Sequence, residues 1–274
     1  MIMRLSAATL PTTPLDWKGN LDACRHAIDL AAEQGVHLLV LPELCLSGYG
    51  CEDAFLAPWV ADASWKSLEK LAAHVPEGML VAAGLPLRLR GRLHNAAALL
   101  SRDRIEGIAC KRHLAREGVH YEPRWFTPWT AGKVVDSRTF GCPVGDQVFD
   151  WDGVRIGFEI CEDAWAAERP GLELAAADCD VVLSPSASHF ALGKDESREH
   201  LVLDGSRSLG VAYAYANLSG NEAGRIVYDG CARIAAGGVQ LAQTSSLSFQ
   251  RIELATADVE IGRASCRERV WIPV

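Results

Sequence analysis

Apolar positions along the chain switch between two spacings, and the switches divide it into elements. Over residues 20–34 (NLDACRHAIDLAAEQ) apolar side chains recur at Leu21, Cys24, Ala27, Ile28 and Ala31. That spacing predicts a helix, with Asn20 as its cap and Gly35 as its stop. VHLLVLPE follows as a short buried strand ending at Pro42-Glu43. A second helix is expected over 62–74 and a strand in MLVAAGLPLR. LHNAAALLSRDRIEGIACK reads as a hairpin that turns at Ser101-Arg102-Asp103-Arg104 and ends at Lys111. VFDWDGVRIGFEIC reads as another, turning at Asp152-Gly153 and ending at Cys161. A helix around 166–177, a strand in CDVVLSPSAS and a helix over ESREHLVLDGSRSLG, despite Gly205, come next. VAYAYANLS, GRIVYDGCARIAA and ELATADVEI complete the strands. Strand–helix units mixed with hairpins imply an α/β layered fold, with one or two mixed sheets and helices outside.

Composition narrows the class. The 274 residues are 49% hydrophobic, enough for one large core, and no linker-like stretch interrupts them, so one domain is expected over residues 3–260. The net charge of −8 comes without a basic patch or stripe, which argues against nucleic acid as a partner. MIMRLSAATLPTTPLDW lacks the layout of a signal peptide, and no apolar run approaches the roughly 18 residues of a membrane span. Nine irregularly spaced cysteines point to free thiols in a reducing cytoplasm. No CxxC, HExxH, GxSxG, Walker A loop or GxGxxG is present, and no metal site is expected from ligand spacing.

Three polar residues then stand out, because each directly follows an apolar strand: Glu43, Lys111 and Cys161. Catalytic groups of α/β sheets gather at such strand ends. GFEICEDAW poses a difficulty, since carboxylates beside a thiol disfavour its reactive thiolate. Lys111 could offset them, with Glu43 taking the thiol proton. Taken singly, a cysteine after a strand is more often a packed small hydrophobe, and a lone acid or lysine there a solvated charge.

Three stretches in order, LVLPELCLSGYGCED, CKRHLAREGVHYEPRWF and GFEICEDAW, resemble the nitrilase or carbon–nitrogen hydrolase superfamily. SPSASHFALGKDESRE and NEAGRIVYDG make the sequence similar to its glutaminase branch, the amidohydrolase domains of glutamine-dependent NAD synthetases. The resemblance spans about residues 3–260 and implies an α-β-β-α sandwich that assembles as a homo-oligomer. It implies Cys161 as nucleophile, Glu43 as general base, Lys111 as stabiliser of the tetrahedral intermediate and Glu122 as a second glutamate supporting the lysine. Tyr49, Glu162, Ser188 and Lys194 match positions around the bound glutamine, with Glu162 placed for its α-amino group. Amide hydrolysis of this kind needs no cofactor. ATP and magnesium would belong to a synthetase domain or subunit, expected as a partner and without a recognisable SGGxDS loop in this sequence.

Two departures from the pattern matter. Relatives carry an aromatic where this chain has Glu117, with His120 nearby, which leaves open a free-standing amidase acting on another small carboxamide or nitrile. A non-catalytic binding domain is the reading from another class. Ser188-His189 has no GxSxG context and is read as loop chemistry. Residues 261–274 (IGRASCRERVWIPV) are basic, aperiodic and without a family counterpart, and are expected to be a non-family tail left by a truncation junction.

Overall fold

The computed structural model describes residues 1–222 and 225–262. Most of the basic tail, residues 263–274, and two positions of NEAGRIVYDG lie outside the described residues.

The first half of the chain runs β1 (Ile2–Pro11), α1 (Trp17–Glu33), β2 (Leu38–Val40), α2 (Pro58–Ala72), β3 (Leu80–Leu89), β4 (Arg92–Ser101), β5 (Arg104–Cys110), β6 (Val134–Ser137) and β7 (Cys142–Gly145). The second runs β8 (Phe149–Trp151), β9 (Val154–Phe158), α3 (Gly171–Ala176), β10 (Val181–Ser186), α4 (Lys194–Leu209), β11 (Ala212–Glu222), β12 (Ile226–Asp229), β13 (Arg233–Ala236) and β14 (Val239–Gln243). β15 (Glu253–Glu260) then returns to the first half and pairs antiparallel with β1, from Ile2 against Glu260 to Thr9 against Glu253.

Hydrogen bonds join the strands in the order β6-β7-β5-β4-β3-β2-β1-β11-β10-β9-β8. β1 and β11 pair as strands only near their ends, at Leu10 with Leu218 and Pro11 with Ser219. The path folds there, so the two halves stack as layers. Period-two alternation explains the stacking. In β1, Met3, Leu5 and Ala7 point to one buried cluster while Ala8 and Leu10 point to another. In β11, Ala212, Ala214 and Ala216 join the first of these, and Tyr213 and Tyr215 face a third. The shared cluster therefore lies between the two sheets. Residues of α1 and α2 cover the outer face of one sheet, and those of α3 and α4 the outer face of the other. Helix, sheet, sheet and helix form four layers, the α-β-β-α sandwich that the resemblance implied.

The helix starts differ from expectation for capping reasons. α1 begins at Trp17 because Asp16, not Asn20, accepts from the Gly19 amide. Asn20 is buried and reaches back to the Thr13 carbonyl instead. α2 begins at Pro58, a favoured first helical residue. α3 is shorter than expected and starts only after Pro170, which cannot lie inside a helix. β1 was not foreseen, although its IMRLSAATLP alternates.

Candidate active site

Glu43 follows β2 and is fully buried. The chain can turn there because β3 carries Gly84 directly behind it. A Cβ on Gly84 would meet the Leu44 nitrogen at 2.3 Å, the Pro42 oxygen at 2.7 Å and the Glu43 carbonyl carbon at 2.8 Å. Lys111 follows β5 and Glu122 opens a short 3-10 turn, and both side chains are also shut from solvent.

These three meet. The Lys111 Nζ donates to Glu43 Oε1 at 2.6 Å and to Glu122 Oε1 at 2.8 Å. Asn95 of β4 donates a second bond to Glu43 Oε1, at 2.7 Å. Tyr49 donates its hydroxyl to Glu122 Oε1 at 2.8 Å, and the Ala115 amide donates to Oε2 at 3.2 Å. Burial by itself would lower the lysine, but Glu122 and Glu43 together raise it well above its ordinary value, so it stays charged. Burial raises Glu122 to about 7, against the pull of Lys111. Among the described residues two acceptor atoms of this cluster are left over: Glu43 Oε2 and Asn95 Oδ1 are buried and have no hydrogen-bond partner.

Cys161 does not end a strand. β9 stops at Phe158, and Cys161 opens a 3-10 turn over Cys161–Trp165 with φ of +49°. Left-handed backbone is strained for a residue with a Cβ and is found disproportionately at functional positions. The residue keeps part of its surface in solvent. Burial is the largest influence raising its thiol, Glu43 and Glu122 add to it, and Lys111 and the Ala187 amide oppose it. The resting group is thus a thiol, and it must lose its proton to a nearby acceptor in order to react.

The two acids after the thiol have separate fates. Glu162 is half-buried and makes no hydrogen bond among the described residues; burial, then Glu43 and Glu117, raise it while Lys111 and Lys194 pull it down. Asp163 turns inward. Its Oδ1 accepts from the Arg112 and His113 amides at 3.0 and 2.7 Å, and its Oδ2 from the Ile160 amide at 3.0 Å. It thereby clamps the segment after Lys111 to the segment before Cys161.

Among the other expected positions, Tyr49 is buried against Glu122, and Glu222 of β11 fixes its loop by accepting from the Tyr49 amide at 3.1 Å and from Gly50. Ser188 is buried, with its amide donated to Asn217 Oδ1 at 2.8 Å. Lys194 opens α4, and its ammonium lies 3.0 Å from a ring nitrogen of His189. Hydrogen bonds join Glu43, Lys111, Glu122 and Tyr49, and Cys161, Glu162 and Lys194 lie within electrostatic reach of this group. Asn95, Asp163, Gly84 and Glu222 were not singled out. The one legible signal among them was Asn95, a polar residue inside the apolar run LHNAAALL.

Several likenesses bear on this arrangement. A family model described as carbon–nitrogen hydrolase matches residues 4–268. The glutamine-dependent NAD(+) synthetase of Saccharomyces cerevisiae is 32% identical over 272 residues, covering 95% of this chain and 38% of that protein. The human protein of the same name is 32% identical over 263 residues, covering 90% and 37%. Among solved structures, a glutamine-dependent NAD(+) synthetase from Cytophaga hutchinsonii superposes with a TM-score of 0.88 at 40% identity, over 94% of this chain and 43% of that one. An amidase from Nesterenkonia sp. AN1 shares the fold at a TM-score of 0.77 and 24% identity, over 94% of this chain and 93% of the amidase. The chain thus spans less than half the length of the synthetases it matches.

Proposed function

This chain belongs to the carbon–nitrogen hydrolase family, and we propose that it hydrolyses the side-chain amide of glutamine, as the ammonia-supplying domain of an NAD synthetase-type enzyme. The observation that carries the reading is the buried Lys111 held between Glu43 and Glu122, with Glu43 Oε2 left unpartnered near a strained cysteine.

An amide carbonyl is a poor electrophile, so the reaction needs a strong nucleophile and a fixed positive charge. Glu43 takes the Cys161 proton as the sulfur attacks the amide carbon. The oxyanion that forms is met by Lys111, an effect worth on the order of 10²–10³-fold. Glu43 returns the proton to the departing nitrogen, ammonia leaves and a thioester remains. Water, deprotonated by Glu43, then attacks the thioester and releases glutamate with the thiol restored. Glu122 holds the lysine in place. At the charged end of the substrate, Glu162 suits the α-ammonium and Lys194 the α-carboxylate, with Tyr49 and Ser188 lining the pocket. No cofactor is required by these steps; ATP and magnesium belong to the synthetase unit with which the domain would work. A reducing cytoplasm and assembly into homo-oligomers fit the same reading.

The test is ammonia release from glutamine at neutral pH by the chain and by Cys161→Ala. Release that disappears in the variant supports the reading; release that persists sinks Cys161 as nucleophile. Glu117, in place of an aromatic, favours a second reading, an amidase for another small carboxamide. A substrate panel in which glutamine is the poorest amide would select it.

A further inference from the structure

The proposed reaction leaves two histidines unused, and the fold brings them together. His120 comes from the segment before Glu122 and His189 from the segment between β10 and α4. His120 Nε2 lies 2.9 Å from His189 Nδ1, with ring centroids 5.0 Å apart. On one side, His120 Nδ1 is 3.0 Å from the Tyr49 hydroxyl. On the other, the Lys194 ammonium is 3.0 Å from His189 Nδ1 and 3.3 Å from its Nε2. An unbroken line of polar contacts thus runs from Lys194 through both rings and Tyr49 to Glu122 and Lys111.

The end of the line fixes its direction. Glu122 accepts from three donors, so Tyr49 gives its hydrogen to the carboxylate and its oxygen is free to accept. His120 then donates from Nδ1 and accepts at Nε2, and His189 donates from Nδ1. The Lys194 ammonium lies against both nitrogens of the His189 ring, 3.0 Å from Nδ1 and 3.3 Å from Nε2, a contact that an uncharged ring accommodates and an imidazolium repels. Every link requires an uncharged ring. The groups facing His120 are Tyr49, Lys111, Lys194 and His189; those facing His189 are Lys194, Arg198, Asp229 and His120. Burial and the neighbouring cations hold both rings below the usual imidazole range, with Asp229 a weaker opposing influence on His189.

We propose that His189 and His120 are positioning residues that hold Lys194 in register with the Tyr49–Glu122–Lys111 chain, so that one hydrogen-bonded relay orients both the cation for the substrate's charged end and the lysine for its amide. The proposal rests on the glutaminase reading of Lys194. A proton on either ring removes an acceptor and adds a positive charge beside Lys194, so substrate binding weakens in acid.

The experiment measures KM and kcat for glutamine against pH in the wild-type chain, His189→Phe and His189→Gln, together with nitrogen-15 spectra of labelled histidines. In the wild type KM rises in acid, as the His189 imidazole, held below its ordinary range by burial and Lys194, gains its proton. His189→Phe raises KM about tenfold at neutral pH with kcat changed less than about threefold, and flattens the acid rise. His189→Gln, which offers a donor and an acceptor but does not titrate, recovers most of the affinity and keeps the flat profile. The spectra show both rings carrying hydrogen on Nδ1, and glutamate shifts the His189 Nε2 signal. Unchanged KM and acid rise in His189→Phe, or a charged ring at neutral pH, would overturn the relay. A wild-type chain that releases no ammonia from glutamine refutes the glutaminase reading instead. The ring tautomers then decide the relay alone: an Nε2-bound hydrogen on His120 rejects it.

Discussion

Two of the buried ionic clusters among the described residues are built in opposite ways. Lys111 sits between Glu43 and Glu122. At α4 and the strands beneath it, Arg198 forks onto both oxygens of Asp229, while Arg233 reaches Asp195 at 2.9 Å and the side-chain Oε1 atoms of Gln240 and Gln243 at 2.7 Å each. Lysine is a compact point charge, and it satisfies one oxygen of Glu43 while the other stays unpartnered. Arginine's planar fork fills both carboxylate oxygens of Asp229, and the atoms it leaves over are the Nε donors of Arg198 and Arg233. The first cluster retains a place for a proton to go. The second retains none, and serves to fasten α4 to β12 and β13.

The contrast can be broken at either end. Replacing Glu43 by Gln should reduce glutamine hydrolysis by about 10³-fold or more, since the amide cannot take the thiol proton, while leaving the urea midpoint nearly unmoved. An unfolded Glu43→Gln chain would mean that this cluster is structural after all. Replacing Arg198 by Met should act the other way: with Asp229 buried and unpaired, urea denaturation is expected to show a loss of about 3–5 kcal/mol. A neutral result would remove the fastening role.

The smallest effect sharpens the contrast through pH. Folding raises Glu122 from its ordinary 4.5 to about 7, so its contribution to stability is fully present below 4.5 and is lost as pH rises through 7. Asp195 is held below its ordinary 3.8, because Arg233 and Arg198 outweigh the larger single influence of burial. Its contribution is present above 3.8 and is lost as pH falls through the folded value. Denaturation curves from about pH 3 to 8 should therefore show opposite slopes disappearing in Glu122→Gln and Asp195→Asn. The second change is the weaker, since Asp195 is 42% exposed and water screens it.

Much of this arrangement was legible along the chain, but not all of it for the same reason. Glu43, Lys111 and Cys161 could be read because each terminates or closely follows an apolar run and falls in a recognisable stretch. The apolar runs of β3 and β11 were legible as strands. Cys161 itself was misread as the end of a strand, since GFEIC carries no mark of the left-handed turn that begins at the sulfur-bearing residue. Asp163 was visible as an acid but its role was not, because its three amide partners come from residues 112, 113 and 160 and meet only in the folded chain. His120 and His189 are 69 positions apart, and nothing in either segment announces the other. Gly84 acts by lacking an atom beside Glu43, a property of approach rather than of pattern.

The pairing of β1 with β15 has a consequence for how the chain comes into being. β1 finds its antiparallel neighbour only when residues 253–260 emerge. At a synthesis rate of roughly 5–20 residues per second, the intervening stretch of about 250 residues takes on the order of 10–50 seconds. Throughout that interval β1 carries an open row of amides and carbonyls, the kind of edge that recruits other chains. The nascent protein therefore passes through a window in which β1 keeps one edge open, and that window closes with β15 rather than with the completion of the catalytic residues.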